Sequence, residues 1–234
     1  MSRHLELGPR LRALASRVLP GRPAADLCCD HARLAASLVR AGRVPRVVAG
    51  DLNAAPLDAA RRWLAEEGLD DGRIELRQGD GLRVLTPADE VASVVIAGIG
   101  APLCERLLEE GRPQLERVER LIVQANHGFP KLGSLRARIV ALGFGLVDEC
   151  ISRERNRLYV TMVAERGGAG LGDLVDRELG PLLRAGRDPL WEDWLAREQR
   201  RIERAIAGME RARRPDTLLA DYRDLLASVI SLRA

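Results

Sequence analysis

The first two-thirds of the chain alternate between short apolar runs and longer amphipathic ones. Residues 24–29, 46–51, 74–78, 91–97 and 120–124 read as strands. The fourth is apolar almost throughout, as in a strand covered on both faces. Between them, apolar residues recur at helical spacing over 31–41, 53–67, 102–110 and 132–142, with Asn53 a candidate N-cap and Gly42, Gly68 and Gly143 at helix ends. A shorter helical pattern precedes the first strand, carried by Leu7, Leu11, Leu14, Ala15 and Val18. The rhythm changes at 145–151 and 157–164, two strand-like runs joined by five residues. That link is too short for a helical crossover, so the pair is expected to be antiparallel. After the glycine-rich stretch 165–172 only helical patterns remain, over 173–185, 189–211 and 216–232.

This order predicts an α/β fold: a doubly wound, Rossmann-like sheet with one reversed strand. The expected division is a sheet domain over residues 1–165, its N-terminal helix within 1–22, and an α-helical domain over 166–234. The last two helices, broken at Arg213-Arg214-Pro215, should form an antiparallel, coiled-coil-like hairpin. An ordinary dinucleotide-binding domain does not predict the reversed strand; a class I methyltransferase sheet does.

Composition changes this picture little. Of 234 residues, 46% are hydrophobic but only 3% aromatic, so the core must be built from Leu, Val, Ile and Ala. The net charge of +3 is weak support for a nucleic-acid partner, and Lys131 is the only lysine, so the positive charge is nearly all arginine. No apolar run approaches the roughly 20 residues of a membrane span, and the N-terminus lacks the apolar core of a signal peptide. Cys28, Cys29, Cys104 and Cys150 show no C-x-x-C spacing. Reduced thiols, no metal site and a cytoplasmic monomer or homodimer are expected.

Ligands of open parallel sheets collect outside the carboxyl ends of the strands. There the sequence gathers Asp26, Cys28 and Asp30 at the first strand, and Asp51 with Leu52 at the second. Gly79-Asp80-Gly81 stands at the third and Ala97-Gly98 at the fourth. An acid at the second position can accept bonds from both hydroxyls of a ribose, or simply cap a helix. Asp80 between glycines suits an adenine edge, since glycine lets backbone come close. A G-x-G-x-x-G loop is missing after the first strand, and Asp26 and Asp30 would repel a diphosphate. A cationic, phosphate-free cofactor is better tolerated; S-adenosylmethionine has that character.

Asp26-Leu27-Cys28-Cys29-Asp30-His31-Ala32 resembles the D-I-G-S-D-H-A segment of bacterial tRNA (adenine-22-N1)-methyltransferases. Similar matches follow in Gln78-Gly79-Asp80-Gly81-Leu82, Ile96-Ala97-Gly98-Ile99-Gly100 and Leu121-Ile122-Val123-Gln124-Ala125-Asn126, and later in Gly180-Pro181-Leu182-Leu183. The resemblance implies an S-adenosylmethionine-dependent enzyme that methylates N1 of adenine in tRNA, with Asp30, His31 and Asn126 as candidate catalytic groups. His127 reads as a loop residue. Arg197, Arg201 and Arg204 at helical spacing are candidate RNA-phosphate contacts, with Arg211, Arg213 and Arg214 beyond them. Arg10 and Arg12 join these, although as a helix face alone they read as merely solvated. Three positions depart from the family pattern: Cys28 for glycine, Ala101 for the second glycine of G-M-G-G, and Ala125 for the proline of Q-P-N. At Cys28 an ordinary right-handed or extended backbone is expected to suffice. Other readings are a methyltransferase for another RNA or a small molecule, and a non-catalytic RNA-binding paralogue.

Overall fold

The computed structural model describes residues 6–126, 131–168, 170–186, 188–212 and 216–233. Seven strands, β1 (Ala24–Leu27), β2 (Val47–Asp51), β3 (Ile74–Gln78), β4 (Ser93–Ile99), β5 (Arg120–Ala125), β6 (Phe144–Glu154) and β7 (Arg157–Arg166), form one sheet. Its order is β3-β2-β1-β4-β5-β7-β6. The first five strands are parallel, β7 runs antiparallel to β5, and β6 pairs antiparallel with β7 at the edge. The reversed strand is therefore β7, in keeping with the expected hairpin.

Side chains of successive strand residues serve opposite faces. Val94, Ile96, Leu121 and Val123 join the cluster that includes Leu108, Leu135 and Phe144, whereas Val95 and Ile122 join that of Leu14, Leu38 and Leu64. The second cluster is built by α1 (Pro9–Ala15), α2 (Arg33–Arg40) and α3 (Ala54–Glu66), the first by α4 (Ala101–Glu110) and α5 (Lys131–Ala141). Three 3₁₀ segments, Gly81–Val84, Pro87–Asp89 and Arg112–Arg117, carry no apolar periodicity that sequence reading could use.

The predicted helix over 173–185 is in fact two, α6 (Leu174–Leu179) and α7 (Pro181–Gly186), broken at Gly180 with φ +96°. Pro181 has no N–H to continue α6 and instead starts α7. The last helices, α8 (Trp191–Arg211) and α9 (Asp216–Arg233), lie antiparallel. Arg223 reaches Glu210 at 2.7 Å near their connection, and Arg233 bonds Gln199 a few turns away. Trp191, Trp194, Leu195 and Ile202 of α8 are buried in the same cluster as α5 and β6. No helix among the described residues is long and apolar enough to cross a membrane.

Candidate functional site

A cavity of about 510 Å³ opens at the carboxyl ends of β1, β2 and β4. Asp26, Cys28, Asp30, His31, Asp51, Leu52, Ala97 and Gly98 line it, so eight sequence-predicted residues meet in one place. Arg10, Leu11 and Leu14 of α1 wall it from the side.

The turn after β1 is unusual. Cys28, Asp30 and Ala32 have φ of 60°, 51° and 52°, three left-handed residues within five. Asp tolerates this conformation; Cys and Ala bear a steric cost of about 1 kcal/mol or more each. The expectation of ordinary backbone at Cys28 is thus corrected: the left-handed turn explains why the family pattern has glycine there. The turn is held by its neighbours. Cys29 N–H donates to the Gly50 carbonyl at 3.1 Å, and Asp30 N–H to Asp51 Oδ2 at 3.1 Å. The other oxygen of Asp51 accepts from Asn53 N–H at 3.0 Å, so one carboxylate orders the turns after both β1 and β2. Asn53 sits at the N-cap of α3 without a side-chain capping bond. Cys28→Gly is expected to raise the melting temperature by about 2–4 °C, corresponding to about 1 kcal/mol, with cofactor affinity retained. Differential scanning calorimetry beside a binding titration checks both.

Asp26 is 5% exposed and lines the cavity, yet its one hydrogen bond among the described residues comes from Ala35 N–H at 3.3 Å. Burial raises its pKa to about 7, with Asp51 adding to the rise and the Ala35 bond and Arg10 opposing it. A buried carboxylate so thinly satisfied is made for a cation. Burial also pushes the Cys28 thiol up to about 12, so it lines the cavity as a neutral group and a poor nucleophile.

Gly98, at φ +80°, forms a bulge where β4 shifts register against β5. Its carbonyl accepts Asn126 Nδ2 at 2.6 Å. Asn126 does not line the cavity but is tied to its rim. His31 Nε2 lies 3.6 Å from Asp30 Oδ1, both side chains largely exposed at the mouth. His127 lies outside the described residues.

Gly79, Asp80 and Gly81 are not among the residues lining the cavity. Both oxygens of Asp80 are held by Arg106, at 2.8 and 3.1 Å, which keeps its carboxyl below the usual range. A Cβ on Gly79 would lie 2.6 Å from Val84 Cγ1, and one on Gly81, 2.7 Å from Leu107 Cδ2. Packing alone already restricts both positions to glycine, and Gly81 also has φ +56°.

Arg10, expected among the RNA contacts, is a cavity wall. It bonds Glu154 at 3.1 Å and Gln124 Oε1 at 3.3 Å, and its guanidinium stands 5.6 Å from the centre of the Tyr159 ring. Gln124, fully buried, passes the chain on to Thr161 Oγ1 at 2.7 Å. Sequence reasoning missed Glu154, Tyr159, Thr161 and Arg106, which no local motif marks. Arg12 is exposed on α1. On α8, Arg197 donates to the Asn156 carbonyl at 3.2 Å and Arg204 to the Arg200 carbonyl at 2.9 Å, while Arg201 is paired with buried Glu198. Arg213 and Arg214 lie outside the described residues. Among the described residues, no group of three or more His, Cys, Asp or Glu is arranged to hold a metal ion.

The sheet order with its reversed β7, and an acidic cavity at the strand ends that suits a cation, define a Rossmann-like class I S-adenosylmethionine-dependent methyltransferase. The family model for tRNA (adenine(22)-N(1))-methyltransferase matches residues 24–224, and the chain belongs to that family. It is 30% identical to the tRNA (adenine(22)-N(1))-methyltransferase of Bacillus subtilis, covering 97% of this chain and 98% of the relative. The Streptococcus pneumoniae protein Sp1610, solved in complex with S-adenosyl-L-methionine, superposes with a TM-score of 0.85 at 29% identity, covering 98% of this chain and all of that one. The crystal structure of the B. subtilis enzyme gives 0.85 at 25% identity over 99% of this chain and 100% of that one.

Proposed function

We propose that the chain methylates N1 of adenine 22 in cytoplasmic tRNA, using S-adenosylmethionine bound in the cavity at the strand ends. The observation that carries this reading is Asp26, a buried cavity carboxylate with a single hydrogen bond and no ion pair among the described residues. It suits the ammonium of the cofactor's methionine end, and Asp51 suits the ribose. When bound, S-adenosylmethionine supplies an electrophilic methyl group.

Adenine N1 is unprotonated at neutral pH, so the protein need not activate it as a nucleophile. Its tasks are to extrude the base, align it and accommodate the charge left on the ring. Asp30 at the cavity mouth is the group to balance that charge or take the proton of the exocyclic amine. His31 orients Asp30, and Asn126 reads an adenine edge. The sheet domain over 1–165 thus holds cofactor and target base, and the helices over 166–234 hold tRNA.

Incubating an unmodified tRNA transcript with S-adenosylmethionine and digesting it to nucleosides for mass spectrometry tests the reading. Methylated adenosine is expected, and it should be lost when adenine 22 is replaced by guanine. Asp30→Ala should slow methyl transfer by about 100-fold, in the range general for a positioned proton-transfer or charge-balancing group. Cofactor binding should persist. An unchanged rate removes Asp30 from the mechanism.

A further inference from the structure

We infer that the tip of the β6–β7 hairpin, Arg155 to Arg157, is an RNA-backbone contact that joins the cavity mouth to the arginine stripe of α8. The inference rests on the tRNA reading above.

The tip is anchored on both sides. Glu154, the residue before it, bonds Arg10 in the cavity wall at 3.1 Å, and the Asn156 carbonyl accepts Arg197 of α8 at 3.2 Å. The loop is therefore the physical bridge between the site of chemistry and the helical hairpin.

Its charge is uncommitted. Three nearby acids already have a cation: Glu154 has Arg10, Asp193 has Arg153, and Glu198 has Arg201. Arg155, Arg157, Arg197, Arg200 and Arg204 have no carboxylate partner among the described residues, and Arg155 and Arg157 are exposed. Glu203 is engaged by Gln199, which in turn bonds Arg233 of α9, so it belongs to the flank of α8 that meets α9. Five arginines without a carboxylate partner outnumber Glu192 and Glu203, the acids of α8 without a cation among the described residues, and the excess guanidinium is the side chain suited to phosphate.

The backbone adds an independent observation. Arg155 is the first of two loop residues and has φ +52°. Such a position favours Gly, Asn or Asp, and among the described residues no side-chain partner rewards an arginine there. Unrewarded strain of this kind collects at binding sites.

Strain and charge give the test opposite signs. Arg155→Gly should raise the melting temperature by a few degrees through relief of the left-handed backbone, yet weaken tRNA binding. The double variant Arg155→Gly, Arg157→Gln should lower tRNA affinity by about tenfold. It should also flatten the slope of log affinity against log salt by nearly one for each lost contact. Arg155→Lys, which keeps the charge, should retain the slope, and cofactor affinity measured by calorimetry should be unchanged in all three. A salt slope in the double variant equal to that of the native chain overturns the inference while leaving the function intact. A native chain with no salt-dependent affinity for tRNA overturns both this inference and the reading it rests on.

Discussion

Asp26→Asn is expected to make the ligand-free protein more stable at pH 8 and to weaken S-adenosylmethionine binding by roughly 10- to 100-fold. The stability arm follows from linkage. The folded pKa of Asp26 is raised to about 7 from 3.8, chiefly by burial. Between these values the folded state holds a proton that the unfolded chain has lost, so stability falls as pH rises from about 4 to about 7 and is flat above. At pH 8 the full cost of an ionised, buried carboxylate is present. Asparagine keeps the bond from Ala35 N–H and removes that cost, a gain of about 2 kcal/mol after allowance for water in the cavity. The melting temperature should rise by about 4–8 °C. At pH 4 the two proteins should melt together.

The binding arm has its own pH signature. The ammonium of the cofactor selects the ionised carboxylate, so affinity should climb with pH up to about 7. An α-amino group loses its proton near pH 8, so affinity should fall again beyond. The native chain therefore gives a bell, and Asp26→Asn keeps only its alkaline limb. Isothermal titration between pH 5.5 and 9 reads both limbs. A variant that retains the acid limb, or binds as tightly as the native chain, removes Asp26 from cofactor recognition.

Much of this site was legible before any coordinates, because a strand end is a local event. The switch from apolar run to helical pattern places Asp26, Asp51 and Gly98 at sheet edges, and right-handed crossovers leave little choice of which edge. Their meeting around one cavity is a consequence of strand order. What could not be read is long-range pairing. Nothing local marks Arg106 as the partner of Asp80, or Glu154 as the partner of Arg10; the latter two are 144 residues apart. The left-handed turn at Cys28 was hidden for a different reason. Cysteine carries no preference for that conformation, so only the bonds from Cys29 to Gly50 and from Asp30 to Asp51 fix it. Arg136, in the middle of an amphipathic helix, is fully buried, and no local pattern marks it.

Arg136→Met is expected to cost about 3–5 kcal/mol of stability, the usual loss when one partner of a buried ion pair is removed. Arg136 and Glu149 are both wholly inaccessible, 2.8 Å apart. Each also serves the break between α6 and α7. Arg136 Nη1 donates to the carbonyls of Arg177 and Glu178, both at 3.0 Å, which are orphaned at the end of α6. Glu149 Oε2 accepts Leu182 N–H at 3.2 Å at the start of α7. Gly180 lies against the pair: a Cβ there would be 2.7 Å from Glu149 and 2.8 Å from Arg136. Glycine is thus required twice, by φ and by space, and the pair clamps the helical segment onto β6. Removing arginine leaves a buried carboxylate and two unpaired carbonyls, so urea unfolding should shift to a much lower midpoint. The double variant Arg136→Met, Glu149→Leu removes the stranded charge and should recover a large part of the loss, though not the bonds to α6 and α7. If the double variant were as unstable as Arg136→Met, the cost would lie in the carbonyls and the Leu182 N–H rather than in the uncompensated charge. If Arg136→Met itself cost less than 1 kcal/mol, the clamp would carry little of the attachment between sheet and helices.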